Sequence, residues 1–216
     1  MNNPARLLAE KLLQSSAVKL QPEMPFVWGS GWNSPIYSDH RRILSYPEIR
    51  NFIKVEMARK IMEHFPEVDA LAGVATGAIA IGAIVADTLG LPSVYVRETP
   101  KDHGLENRIE GNLRMGQRVV VIEDLVSTGS SSLNAVDAVR SAGCDVIGMT
   151  AIFNYQFPMA AERFREEGIE LVTLSDYNTM LEAAIDLEYI GPDDLHTMQE
   201  WREDPANWVP CRPGAL

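Results

Sequence analysis

The chain has 216 residues, 30 acidic against 19 basic, for a formal charge of −11. That balance excludes a protein living on general contact with nucleic-acid phosphates or anionic membranes, which requires a basic patch. With 46% hydrophobic and 23% charged residues, the chain is globular rather than disordered and long enough for one α/β domain with its own core.

Residues 2–14 read as a first helix, with Pro4 early and Leu7, Leu8 and Leu12 on one side. This polar start lacks the apolar centre of a secretory signal. The only cysteines are Cys144 and Cys211, so a reduced, cytoplasmic setting is expected. Residues 18–42, rich in Pro, Gly, Ser and aromatics, predict short strands and turns. Pro47 opens a helix to His64, with Ile49, Phe52, Ile53, Met57 and Ile61 at core-face spacing.

Strands and helices then alternate. Strands are predicted at 70–74, 93–97, 118–122, 145–153 and 171–175, and helices between 77 and 89 and over 129–142 and 158–167. A polar loop covers 98–113, and 176–208 reads as helical with a break at Gly191-Pro192. The apolar run 73–86 falls short of the roughly 20 residues that span a bilayer. Such alternation implies a mostly parallel sheet flanked by helices, with ligands at the carboxyl ends of its strands.

The chemistry concentrates in Val119-Val120-Val121-Ile122-Glu123-Asp124-Leu125-Val126-Ser127-Thr128-Gly129-Ser130-Ser131. An apolar strand leads to two carboxylates and then to a hydroxyl- and glycine-rich turn at a helix start. Backbone N–H groups, Ser and Thr hydroxyls and the positive helix end make a phosphate cradle, and Gly129 lets an anion approach the backbone. The carboxylates can accept hydrogen bonds from two sugar hydroxyls or help hold a hydrated Mg²⁺. The plain alternative is an ordinary strand–turn–helix junction capped by Asp124 or Ser127. Neither a GxGxxG fingerprint nor the Lys of a P-loop is present.

This segment resembles the type I phosphoribosyltransferases and, within them, the orotate phosphoribosyltransferases. The likeness extends through the hood segment Phe26 to Asp39 with its Ser30-Gly31 and Ser34-Pro35-Ile36-Tyr37 signatures, Gly73-Val-Ala-Thr76-Gly77-Ala78-Ile79, and Arg97-Glu-Thr-Pro-Lys101-Asp-His103-Gly104. The ending Glu200-Trp-Arg-Glu-Asp-Pro205 is similar to one branch of the family. The resemblance implies a single phosphoribosyltransferase domain, with a hood over about 1–45, a core over about 46–175 and a helical tail over about 176–216. It implies transfer of ribose 5-phosphate from 5-phosphoribosyl 1-diphosphate (PRPP) to orotate, giving orotidine 5′-monophosphate and diphosphate in pyrimidine biosynthesis.

By the same resemblance, Glu123 and Asp124 hold the ribose hydroxyls, and Leu125 to Ser131, chiefly Ser127, Thr128, Gly129, Ser130 and Ser131, cradle the 5′-phosphate. Ala75, Thr76 and Gly77 present backbone to the diphosphate. Ser34, Ile36, Tyr37 and Ser127 frame orotate. Arg97, Lys101 and His103 act on the diphosphate, in the family usually at the neighbouring subunit of a homodimer, and with Asp124 form the catalytic set. Mg²⁺ arrives mainly with PRPP, with Asp124 nearby and no tight side-chain site; neither nucleic acid nor membrane is an expected partner. Three positions depart from the family pattern. Glu98 and Gly29 stand where many relatives carry Lys, and Asn154-Tyr155-Gln156 stands where some carry an Arg for the orotate carboxylate. Backbone N–H groups of the hood are the expected substitute. His40 with Arg41 and Arg42 suggests either a phosphate patch or a polar strand end or subunit interface. A purine phosphoribosyltransferase and a non-catalytic PRPP-binding regulator are the competing readings; the hood signature opposes the first, and the retained Lys101 and His103 oppose the second.

Overall fold

The structure, a computed structural model, describes residues 3–99 and 108–210. Lys101 and His103 therefore lie outside the described residues.

Asn3 caps the first helix, α1 (Pro4–Gln14), its side-chain oxygen accepting from Ala5 N at 3.1 Å. Four short strands follow: β1 (Val18–Leu20), β2 (Phe26–Val27), β3 (Asn33–Ser34) and β4 (Ile36–Ser38). β1 pairs with β4 and β2 with β3, both antiparallel. After a 3₁₀ turn at His40–Ser45, Pro47 sets the start of α2 (Pro47–His64).

The main sheet takes β5 (Ala70–Val74), β6 (Ser93–Val96), β7 (Ile109–Glu110), β8 (Arg118–Val126), β9 (Asp145–Asn154) and β10 (Leu171–Asp176), in the order β10-β9-β8-β5-β6-β7. All neighbours are parallel except β6 and β7. α3 (Ile79–Leu89) packs on one face beside α2; α4 (Ser130–Ser141) packs on the other, with α5 (Pro158–Glu166) bound to it through Arg140 and Glu167. The apolar runs of β5 and β8 are buried because helices cover both faces.

Two departures from the sequence reading matter. β8 continues to Val126, so Glu123 and Asp124 belong to the strand rather than to its exit; β9 also lengthens, pairing as far as Val126 with Asn154. The expected 98–113 loop contains β7, a two-residue edge strand whose partner β6 lies thirteen or more residues upstream, which no local pattern announces. The tail is helical as expected, as α6 (Tyr177–Asp186), capped by the Asp176 carboxylate on Thr179 N at 2.9 Å, and α7 (Asp194–Glu203). No helix among the described residues is long and apolar enough to cross a membrane.

Candidate active site

The chain leaves β5 toward β6 on one side, while β8, β9 and β10 extend on the other. The point where the winding reverses therefore lies between β5 and β8, and the crevice outside their carboxyl ends is where open α/β sheets bind ligands. Two loops meet there: 75–78 after β5 and 127–129 after β8. Adjacency of two parallel strands brings these distant segments together.

The 127–131 turn is shaped for an anion. Gly129, at φ +80, caps α4, and a Cβ there would approach the Phe164 ring to 3.1 Å. Both facts favour glycine. The hydroxyls of Thr128 and Ser130 lie 3.2 Å apart. Arg163 Nη1, reaching over from α5, donates to Thr128 O at 2.9 Å and Ser130 Oγ at 2.8 Å. The Thr128–Gly129 peptide is trans, so its N–H points away from Arg163. Sequence reasoning missed Arg163; only the fold of α5 against α4 brings it to this loop.

The two carboxylates do not sit side by side. Consecutive strand residues face opposite sides of a sheet. Glu123 turns toward α4, nearly fully buried, accepting from Ser132 Oγ at 2.9 Å and from Asp124 N at 3.1 Å. Burial pushes its carboxyl well above the usual carboxylate range, and the adjacent Asp124 charge adds to that. Asp124 faces the other way, toward the 75–78 loop, and its carboxylate fills the space that a Cβ on Gly77 would need. The Ala75–Thr76 peptide in that loop is cis.

His40 is buried beneath Asp124. Its Nδ1 lies 2.9 Å from Asp124 O, and its ring meets Phe153 edge-on at 5.7 Å. A carbonyl only accepts, so Nδ1 carries the proton. Nε2 has no hydrogen-bond partner among the described residues. Burial lowers the imidazole pKa, with the Asp124 charge opposing. Arg41 pairs with Asp39 at 2.7 Å. Of the two readings of His40, Arg41 and Arg42, a phosphate patch made of all three is not assembled, because the 3₁₀ turn directs His40 inward.

The hood and the phosphate turn enclose a cleft of about 400 Å³, lined in part by Trp28, Tyr37, Ser38, Ser127, Thr128 and Tyr155. Of the expected orotate residues, Tyr37 and Ser127 line it. Ser34 and Ile36 do not: both side chains are fully buried, and Ser34 Oγ donates to Ile36 O at 2.7 Å, so they build the wall from behind. Trp28 and Tyr155 were missed because their ring positions depend on long-range packing. Tyr155 donates its hydroxyl to Ser38 Oγ at 2.9 Å, and burial pushes the phenol pKa upward. Within the hood, the N–H groups of Trp28, Gly31, Trp32 and Ile36 are already engaged.

A second, smaller cleft of about 90 Å³ joins Ala75, Arg97 and Ser131. Arg97 follows β6. Its N–H donates to Arg108 O at 2.7 Å, and its guanidinium is 3.7 Å from Glu110. Arg97 thus stands at the stem of the segment that carries Lys101 and His103, facing the loops after β5 and β8.

Among lesser residues, His64 ends α2 with its Nδ1 2.8 Å from Glu170; His196 is exposed beside Glu200, and Cys144 is buried. No group of three His, Cys, Asp or Glu among the described residues is arranged to hold a metal ion.

The family model described as Phosphoribosyl transferase domain matches residues 46–170, more than half the chain. The chain is 59% identical over 208 residues to the orotate phosphoribosyltransferase of Bacteroides thetaiotaomicron, covering 96% of this chain and 98% of that one. It is 50% identical over 204 residues to that of Streptococcus agalactiae, covering 94% and 98%. The crystal structure of orotate phosphoribosyltransferase from Aeropyrum pernix superposes with a TM-score of 0.74 at 30% identity, covering 85% of this chain and 99% of that one. A hydroxyl-rich turn at a helix start, a half-buried carboxylate and a glycine loop at one winding reversal agree with this kinship, and the chain belongs to the orotate phosphoribosyltransferase family.

Proposed function

We propose that the protein transfers ribose 5-phosphate from PRPP to orotate, releasing diphosphate and forming orotidine 5′-monophosphate. The observation that carries this reading is the convergence of the 127–131 turn, Asp124 and the Gly77 loop beneath an aromatic cleft. The 5′-phosphate takes the N–H groups and hydroxyls of Ser127, Thr128, Gly129, Ser130 and Ser131. The ribose diol falls first to Asp124; Glu123, buried against α4 and bonded to Ser132, joins only by turning out of that position. Ala75, Thr76 and Gly77 offer backbone to the diphosphate.

Orotate occupies the cleft beside Trp28, Tyr37 and Tyr155. With four hood N–H groups engaged, its carboxylate turns to hydroxyls, chiefly Ser127 and Ser38. Ser38 accepts from Tyr155, which leaves its own proton to donate. As the bond from the anomeric carbon to the diphosphate breaks and the bond to the base nitrogen forms, charge grows on the leaving diphosphate. Arg97, Lys101 and His103 stabilise that charge more than they stabilise bound substrate, which lowers the barrier. The residues fit a Mg²⁺ carried by the diphosphate and faced by the Asp124 carboxylate, where it would neutralise the leaving group.

The direct test mixes protein, Mg²⁺, PRPP and orotate and follows loss of orotate absorbance. Turnover is expected; turnover with hypoxanthine or adenine but not with orotate would overturn the reading. The chain is further proposed to act as a homodimer sharing the Arg97-to-His103 segment between sites. Mixing Asp124→Ala and Lys101→Ala chains should restore part of the activity in verified heterodimers, and no rescue would refute sharing.

A further inference from the structure

The tail after β10, residues 177–216, holds eight acidic and two basic side chains, a net −6 of the chain's −11. None of the phosphate chemistry above uses it. Its helix α7 nevertheless places one large side chain deep in the molecule. Trp201 is fully buried, and its indole N–H donates to Asn33 O at 3.0 Å. Asn33 belongs to β3, so a tail side chain is tied to hood backbone 168 residues away.

The same indole ring packs on two of the aromatic residues that line the base cleft. It meets Trp28 edge-on at 5.5 Å and Tyr155 edge-on at 5.7 Å. Trp28 is itself held by its indole N–H, which donates to Ile36 O at 3.1 Å. The helix is also seated by α6: Tyr177, whose ring packs on Trp201 at 5.6 Å, donates its hydroxyl to Met198 O at 3.0 Å, and Arg202 donates to Asn178 Oδ1 at 2.9 Å. Edge-to-face contacts and a part-buried hydrogen bond fix ring direction as well as depth, so Trp201 sets where the Trp28 and Tyr155 rings stand.

We propose that Trp201 is a positioning residue for the acceptor base: the tail helix pins the hood through Asn33 and orients the Trp28–Tyr155 wall of the cleft. The phosphate turn and the Gly77 loop make no contact with this anchor among the hydrogen bonds and ring contacts described, so the effect falls on the base and not on PRPP. The proposal rests on orotate being the occupant of that cleft.

The test is Trp201→Phe, which keeps an aromatic ring but deletes the N–H donor. Loss of the donor to Asn33 O unties the tail helix from the hood strand, and the expected result is a rise in orotate KM of about five- to twentyfold. The KM for PRPP should stay within about twofold, since that site keeps its contacts. Tyr177→Phe, which loosens the seat of α7 while leaving every ring in place, should raise orotate KM in the same direction by a smaller factor. It serves as the second variant should Trp201→Phe not fold. Wild-type turnover of orotate is measured first, and its absence would overturn the substrate reading itself. With wild-type turnover established, equal rises in both KM values, or a lowered melting temperature with orotate KM unchanged in the variant that folds, would overturn the role of Trp201.

Discussion

The Asp124 carboxylate occupies the space that a side chain at Gly77 would take. Two segments 47 residues apart in sequence are thereby locked in register, the carboxylate over the glycine loop. Gly77→Ala should push Asp124 out of place. A displacement of about 1 Å at a reacting centre costs on the order of 100-fold in rate, so kcat/KM for PRPP should fall by about that factor. Steady-state kinetics in PRPP check it, and circular dichroism should show the fold retained.

Arg163 braces the phosphate turn from outside by holding Thr128 O and Ser130 Oγ. Holding that carbonyl orients the Gly129 N–H in the opposite direction, toward an incoming anion. Arg163→Gln should raise the KM for PRPP by about three- to tenfold, the worth of a charge-assisted hydrogen bond. The KM for orotate should be nearly unchanged. Arg163→Lys should recover part of the loss, because it restores the charge and one donor.

Burial lowers the pKa of His40 below its ordinary value near 6.5. The sign of its pH effect follows. Between the lowered folded pKa and the unfolded one, the unfolded chain binds more protons, so stability is present above about pH 6.5 and lost as pH falls below it. Each pH unit in that window costs up to about 1.4 kcal/mol. The groups facing the ring are Asp124, whose charge opposes the shift, Asp39 and the Phe153 ring. His40→Phe should flatten the fall in melting temperature between pH 7 and pH 5. An equally steep fall in the variant would assign that pH dependence to other groups.

The sequence by itself determined the alternation of strands and helices, because apolar runs such as 119–122 and the capping and breaking residues Pro47, Gly129 and Pro158 act within a few positions of themselves. The hydroxyl- and glycine-rich turn at 127–131, ahead of a helix start, was equally legible, and the proposed anion cradle rests on it. Tertiary structure alone decided the rest. Parallel pairing of β5 with β8 placed Gly77 against Asp124. Continuation of β8 to Val126, past the strand end expected at Ile122, turned Glu123 and Asp124 to opposite faces. The 3₁₀ turn sent His40 inward, and Arg163 and Trp201 reached the site from helices whose own sequences show only surface and core patterns. Contacts between residues tens to hundreds of positions apart leave no local trace, because each partner satisfies only the ordinary rules of its own helix or strand.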